Sequence, residues 1–423
     1  MTITVIETPR TPHALAQGSQ GAWLGDFLFL SGQLASDSET GVPANLRRQH
    51  GYPYYGSDIR AQTQYVLSNV KAALEDNGSD LAHVVKTQVF LADLRHFDEF
   101  DLVWKSYFDT PPPRTTVAVG EAGLEVPGAL VEVDVIAVRR DAAQQPQPVP
   151  SARIPRPIAN YTPAVQCGDF VFLAGQLPSD FLDGGIPTTL RPDSAYPYHS
   201  SHIERQVEYT LKNIEMLLED AGSDLGHVVK AQVFLKDLHD FSALDDVWRR
   251  SFPIPPPRTT IQISDLLVAD APFEIDLIAV RKSLTPQVVK TDASPRPLAN
   301  YSQAVVAGDF VFLAGQLASD YRTGVPAEAR VDPNFPFYGS EIERQTEYVL
   351  RNIAPVLEAA GSSMQDIVKA QVFLTSMRDL YGFNKVWARH FDVLPARTTV
   401  GLAGDGLLVP GTAVEVDVIA KRS

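Results

Sequence analysis

The chain has 423 residues, 44% of them hydrophobic and 21% charged, with a formal net charge of −15. That size allows two to four globular domains, and the charge excludes nucleic acid as the main partner, because phosphate binding needs clustered Lys and Arg and the densest basic patch, NLRRQH, holds two arginines. A single cysteine, Cys167, excludes an internal disulfide and a thiolate-rich metal site.

MTITVIETPR is too short and too polar to read as a signal peptide, and no segment reaches membrane-spanning length, so a cytoplasmic, reducing setting is expected. The first strong element is GDFLFLSGQLASD from Gly25, a β-rich apolar run that stops at Gly-Gln. It returns as GDFVFLAGQLPSD from Gly168 and GDFVFLAGQLASD from Gly308. A period of roughly 140 residues is far longer than a solenoid repeat, so each copy is domain-sized and can enclose a core. The expected domains are 1–141, 152–283 and 292–423. Between them, DAAQQPQPVPSARIPRP and SLTPQVVKTDASPRP read as extended linkers rich in Pro and polar residues.

Next come the aromatic-Pro-aromatic runs YPYYGS, YPYHSS and FPFYGS, which suit either packing between copies or a lid over an apolar ligand. A helix then begins at SSHIERQVEYTLKNIEMLLEDAG. Ser201 and Glu204 form a capping box, Ile203, Val207, Leu211, Ile214 and Leu218 recur at helical spacing, and Gly222 ends it. Ser340 with Glu343 repeats the box, whereas the first copy has Ser57 with Arg60. VVKAQVFL is the next strand, and DFSALDDVWRRSF a second amphipathic helix with a core tryptophan, Trp104, Trp248 or Trp387 across the copies. RTTIQIS and FEIDLIAV are final strands with alternating faces. The order predicts an α+β unit with helices on one face of a sheet. The bare faces of three such sheets can pack around a pseudo-threefold axis, leaving three clefts between copies.

The strand after PPPRTTV, PPPRTTI and LPARTTV can begin only about where Arg114, Arg258 or Arg397 stands, because proline cannot donate to a sheet ladder. A guanidinium fixed there matches a carboxylate bidentately; the alternative is a structural pair with an internal acid. In the last strand Glu132, Glu274 and Glu415 share a face with Asp134, Asp276 and Asp417. Such a strand reads either as a solvated face or as one that presents a proton-handling glutamate to a cleft. His83 and His227 have no counterpart beside Ile367, so no repeated metal-ligand set exists, and Cys167, opposite Leu24 and Ala307, reads as a small buried side chain.

GDFVFLAGQL, VVKAQVFL, PPPRTT and VEVDVIAVRR, in that order and three times over, resemble the RidA (YjgF) family of small trimeric proteins. The resemblance implies tandem chorismate-mutase-like α+β domains arranged as an intramolecular pseudo-trimer, with a ligand site in each cleft. It implies hydrolysis of reactive 2-imino and 2-enamino acids to 2-keto acids and ammonia, with no metal or organic cofactor. The carboxylate-binding arginine falls on Arg114, Arg258 and Arg397, and the catalytic glutamate on Glu132, Glu274 and Glu415. The strand-end glycine falls on Gly32, Gly175 and Gly315, and the site tyrosine on Tyr161 and Tyr301, with Gly18 at that place in the first copy. Ser31 keeps a family serine that becomes Ala174 and Ala314, and Thr116, Thr260 and Thr399 stand where a cysteine is common. The expected partner is therefore a small carboxylate-bearing imine or enamine, with no nucleic acid and no membrane. The chain is expected to be a self-contained pseudo-trimer, and a dimer of whole chains is compatible. The departures suit two rival readings: a specialised pathway enzyme acting on a larger enamine or related carboxylate intermediate, or a non-catalytic small-ligand-binding protein. Ribonuclease activity, ascribed to some members, fits poorly with the charge.

Overall fold

The computed structural model describes every residue except 14–16, 50, 53–54, 121, 197–200 and 321. In the second repeat a hairpin of Ala164–Cys167 and Phe170–Leu173 turns at Gly168, whose φ of +59° suits glycine. The helix His202–Asp220, the strand Val228–Leu235, the helix Phe241–Ser251 and the strands Arg258–Gln262 and Phe273–Val280 follow. The last strand lies inside the sheet, antiparallel to both Phe170–Leu173 and Val228–Leu235, while Arg258–Gln262 runs parallel to Val228–Leu235. The first and third repeats have the same order. The strand Ala164–Cys167 is absent from the sequence-based order, because AVQC is only four residues long and follows a proline. The linkers are extended, as expected, but they also pair: Gln147–Pro148 and Gln287–Val289 add edge strands, the place in a sheet where a proline is tolerated.

The long helices start where the serines predict. Ser57, Ser201 and Ser340 accept hydrogen bonds from the N–H groups of Arg60, Glu204 and Glu343 at 3.4, 3.2 and 3.4 Å. The glutamate side chains of the two predicted boxes are engaged across the helix pair instead, with Arg250 at 3.6 Å and Lys385 at 2.9 Å. Ile203, Val207, Leu211, Ile214 and Leu218 are all buried, as are the three recurring tryptophans.

The sheet faces that the helices leave bare meet one another. Phe29, Val85 and Ile136 of the first repeat, Phe170, Phe172 and Ile278 of the second, and Phe310, Phe312 and Ile419 of the third form one buried cluster. Phe27, Phe170 and Phe310 make edge-to-face contacts at 5.1 to 5.7 Å, each fully buried aromatic contributing roughly 1.5–3 kcal/mol. Cys167 lies in this cluster, where burial pushes its thiol up to about 11.

Beside the phenylalanines runs a ring of buried polar side chains. Lys86 pairs with Asp276 at 2.6 Å, Lys230 with Asp417, and Lys369 with Asp134 at 2.8 Å. Gln88 donates to Gln232, Gln232 to Gln371 and Gln371 back to Gln88, at 2.5, 2.5 and 2.6 Å. Each circuit runs from one repeat to the next and returns to its start. The reading of Asp134, Asp276 and Asp417 as a solvated strand face is therefore corrected: all three are at most 4% exposed, and each is matched by a lysine from another repeat.

The described residues of the aromatic-Pro-aromatic runs are not packed between copies. Among their described residues Tyr52, Tyr55, Tyr196, Phe335, Phe337 and Tyr338 are all more than 60% exposed. Tyr52 and Tyr55 line a surface depression with Leu46, Arg47 and Arg48. Pro53, Tyr54 and residues 197–200 of these runs lie outside the described residues.

Candidate functional site

Arg114 and Arg258 are the first residues of their strands, and Arg397 is the second of its own. Each guanidinium is drawn back against the second helix of its repeat and lies over aromatic rings. Arg114 sits 5.0–5.5 Å from the ring centres of Phe97, Phe100 and Trp104, Arg258 4.9–5.2 Å from Phe241 and Trp248, and Arg397 5.2–5.5 Å from Phe383 and Trp387. The tryptophans assigned to the core thus also hold the arginines, a contact that spacing along the chain does not reveal.

An internal partner takes one nitrogen of each guanidinium. Nη2 of Arg114 donates to Asp101 at 2.7 Å, and that of Arg258 to Asp245 at 2.6 Å. The structural pair weighed as the alternative is present at these two positions for one nitrogen: helix packing supplies an aspartate thirteen residues back. In the third repeat the same place holds Asn384, which accepts from Nη2 of Arg397 at 2.7 Å, and Glu125 of the first repeat stands 3.8 Å away. Nη1 of all three arginines, and Nε of Arg397, are buried with no hydrogen-bond partner among the described residues. Burial lowers the affinity of each guanidinium for its proton, down to about 10 for Arg397.

Facing each arginine is the glutamate of the next repeat: Glu274 for Arg114, Glu415 for Arg258 and Glu132 for Arg397. One oxygen of each presses on the strand-end glycine. A Cβ at Gly32, Gly175 or Gly315 would lie 1.8–1.9 Å from Oε1 of Glu132, Glu274 or Glu415, so any side chain there would displace the glutamate carboxyl. The other oxygen, Oε2, is buried without a partner among the described residues. Burial, first, and the neighbouring acids, second, push all three carboxyls well above the ordinary glutamate range. A buried acid that holds its proton above the ordinary glutamate range, beside a buried cation with an unfilled donor, can anchor an anion and move a proton.

The other expected residues take different places. Tyr161 and Tyr301 stand close to Arg114 and Arg258, and burial raises the Tyr161 hydroxyl to about 12. Thr116, Thr260 and Thr399 are buried two residues beyond the arginines, and the Thr116 N–H donates to Glu274. Ser31 holds backbone: its hydroxyl donates to Ser19 O at 2.5 Å and accepts from Arg397 N–H at 2.9 Å. Two features escaped the sequence reading. Asp101 and Asp245 sit on the second helix among other acids and carry no motif. Glu125 stands where Leu267 and Leu408 occur in LLVAD and LLVPG, so comparing the repeats with one another picks it out. A small cleft, with a cavity volume of about 50 Å³, lies beside Arg397 and is lined by Ser31, Gly32, Glu125 and Glu132 among others.

The model of the family described as Endoribonuclease L-PSP matches three times, over residues 8–139, 151–281 and 291–422. A RutC family protein of Pyrococcus horikoshii is 36% identical over 137 residues, 32% of this chain and 98% of its own length. A 2-iminobutanoate/2-iminopropanoate deaminase of Dermatophagoides farinae is 33% identical over 118 residues, 28% of this chain and 84% of its own. A solved chorismatase structure aligns over 80% of this chain and 93% of its own with a TM-score of 0.50 at 13% identity, a likeness of fold. Among the described residues no helix is long and apolar enough to cross a membrane, and no group of three His, Cys, Asp or Glu could hold a metal ion.

Proposed function

Because the chain belongs to the Endoribonuclease L-PSP family three times over, we propose that it hydrolyses 2-imino and 2-enamino acids to 2-keto acids and ammonia in clefts between its repeats. One observation carries this reading. An arginine of one repeat and a glutamate of the next are both buried within electrostatic reach of each other, and each keeps at least one polar atom without a partner among the described residues. The deaminase name of the Dermatophagoides farinae relative supports it. The family's endoribonuclease title does not suit this chain, whose net charge of −15 opposes a polyanionic substrate.

In this reading the arginine holds the substrate carboxylate through Nη1, which fixes the C=N carbon above the glutamate. The substrate reacts as its iminium form: the ionised fraction of the glutamate takes a proton from water as the oxygen bonds to that carbon, and the C=N electron pair moves to nitrogen to give a carbinolamine. The same carboxyl then returns the proton to nitrogen and accepts the hydroxyl proton as the C–N bond breaks, so that ammonia leaves a 2-keto acid and the carboxyl releases its proton to solvent. An enamine enters after tautomerising to the imine. The repeat-to-repeat pairs of lysine with aspartate support a single chain as one complete pseudo-trimer.

The test is release of ammonia and pyruvate from 2-iminopropanoate generated in situ by dehydration of serine. The protein should accelerate it well beyond buffer in a species whose scattering mass is one chain, 46.3 kDa, or two. Rates equal to buffer would end the deaminase reading, and an obligate assembly of three chains would end the pseudo-trimer.

The neighbouring acid sets a pH prediction. After burial, the charge of Glu125 is the largest influence holding the Glu132 carboxyl up. Glu125→Gln removes that charge, so Glu132 ionises at lower pH and the acidic limb of the rate profile moves down by several tenths of a unit or more. A limb that stays in place, or moves up, contradicts the coupling.

A further inference from the structure

The three arginine clefts are built differently, and we propose that the cleft between the third and first repeats, at Arg397, is the one that takes the anionic substrate, while those at Arg114 and Arg258 hold the repeats together. This rests on the deaminase reading for the chemistry and on geometry alone for the location.

The guanidinium charge is the first difference. Nη2 of Arg114 and Arg258 donates to a carboxylate, and the second oxygen of that carboxylate accepts from a side-chain amide of the next repeat, Asn160 for Asp101 and Asn300 for Asp245. Those two cations are neutralised inside a bond network that crosses the repeat boundary, so an arriving carboxylate would compete with an internal one. Arg397 donates to the neutral amide of Asn384 instead. Its acid, Glu125, lies at 3.8 Å and leaves Oε1 without a hydrogen bond among the described residues. Arg397 also has two nitrogens without a partner there, Nε and Nη1, against one each for the others.

Space is the second. Tyr161 and Tyr301 stand by Arg114 and Arg258, whereas the matching Gly18 packs its backbone on Arg397, with an ideal Cβ only 3.4 Å from Arg397 Cβ. Gly18, Arg397, Glu125 and Glu132 together line one cleft. A buried guanidinium whose acid stands off at 3.8 Å without a hydrogen bond, and two buried carboxyls at the wall of a cleft, suit a small molecule with both a carboxylate and a nitrogen that can carry a proton. A 2-iminium acid has both, and the acids offer its nitrogen an acceptor once the carboxylate is held.

Two measurements decide it. Asn384→Asp gives Arg397 the charged partner its counterparts have and should lower 2-iminopropanoate hydrolysis at least tenfold. Gly18→Tyr, which narrows the cleft at a backbone conformation open to side chains, should do the same. Retention of more than half the rate by a variant with an unchanged melting temperature would show that other clefts carry the activity and overturn the assignment. In the second measurement, wild-type crystals are soaked in 2-oxobutanoate. Density beside Arg397 alone supports the assignment even if the protein hydrolyses no imine, in which case only the deaminase reading falls. Density beside Arg114 or Arg258, or beside none of the three, overturns it.

Discussion

Glu132→Gln lowers the hydrolysis of 2-iminopropanoate by a factor of about 10² or more, the usual contribution of a positioned general acid–base. Glutamine matches glutamate in shape, so the contact with Gly32 survives, where there is no room for a larger adjustment. What disappears is the only group at Oε2 able to take and return a proton. The variant also separates catalysis from folding. The buried Glu132 carboxyl holds its proton well above the pH at which an exposed glutamate ionises. The unfolded chain releases that proton first, so the wild type loses stability as pH rises from the ordinary carboxylate range toward the raised value, and Glu132→Gln, which keeps only the raised carboxyls of Glu274 and Glu415, loses less. Denaturation midpoints should therefore draw apart in favour of the variant with rising pH while its activity stays low throughout. A variant retaining a third or more of the wild-type rate would show that the clefts of Glu274 and Glu415 carry the activity, and the same retention after all three glutamates are replaced would remove them from the chemistry.

The parts of the molecule that follow local rules were legible in the chain. Serine caps, helical spacing and proline-delimited strand starts depend on neighbours a few residues apart, which is why the helix His202–Asp220 and the strand opening at Arg258 fall where the pattern puts them. Repetition extended that reach, since a residue kept at the same place in each copy stands out. The pairing of Arg114 with Asp101 did not show, because it depends on how a helix is rotated on its sheet. Asp276 was taken for a solvent-facing acid for a related reason. Its partner, Lys86, belongs to another repeat, and no periodicity within one strand records what lies across such a boundary. The signal available was Lys86 and Gln88 themselves: two polar residues two apart in an otherwise apolar strand, recurring as Lys230 with Gln232 and Lys369 with Gln371. Charge retained on a buried face calls for an opposite charge in reach, and these aspartates recur on an equally apolar strand.

That ring carries the largest expected effect on stability. Asp276 is 2% exposed and accepts from Lys86 at 2.6 Å, from Gln88 at 2.9 Å and from the hydroxyl of Thr115 at 2.5 Å, all in the first repeat. Asp276→Ala leaves Lys86 as a buried ammonium with the carbonyl of Leu173, at 2.7 Å, to receive it. An uncompensated buried charge of this kind costs about 3–5 kcal/mol, against at most about 1 kcal/mol for an exposed pair. The loss falls on the boundary between two repeats, so the first and second should weaken together in urea. Removing both charges as Lys86→Met with Asp276→Leu eliminates the stranded ion and should recover more than half of the loss, since apolar replacements of a buried pair are often neutral. If Asp276→Ala costs under 1 kcal/mol, or if the double replacement is worse than the single one, the ring is not holding the repeats together and the packed phenylalanines beside it carry that role alone.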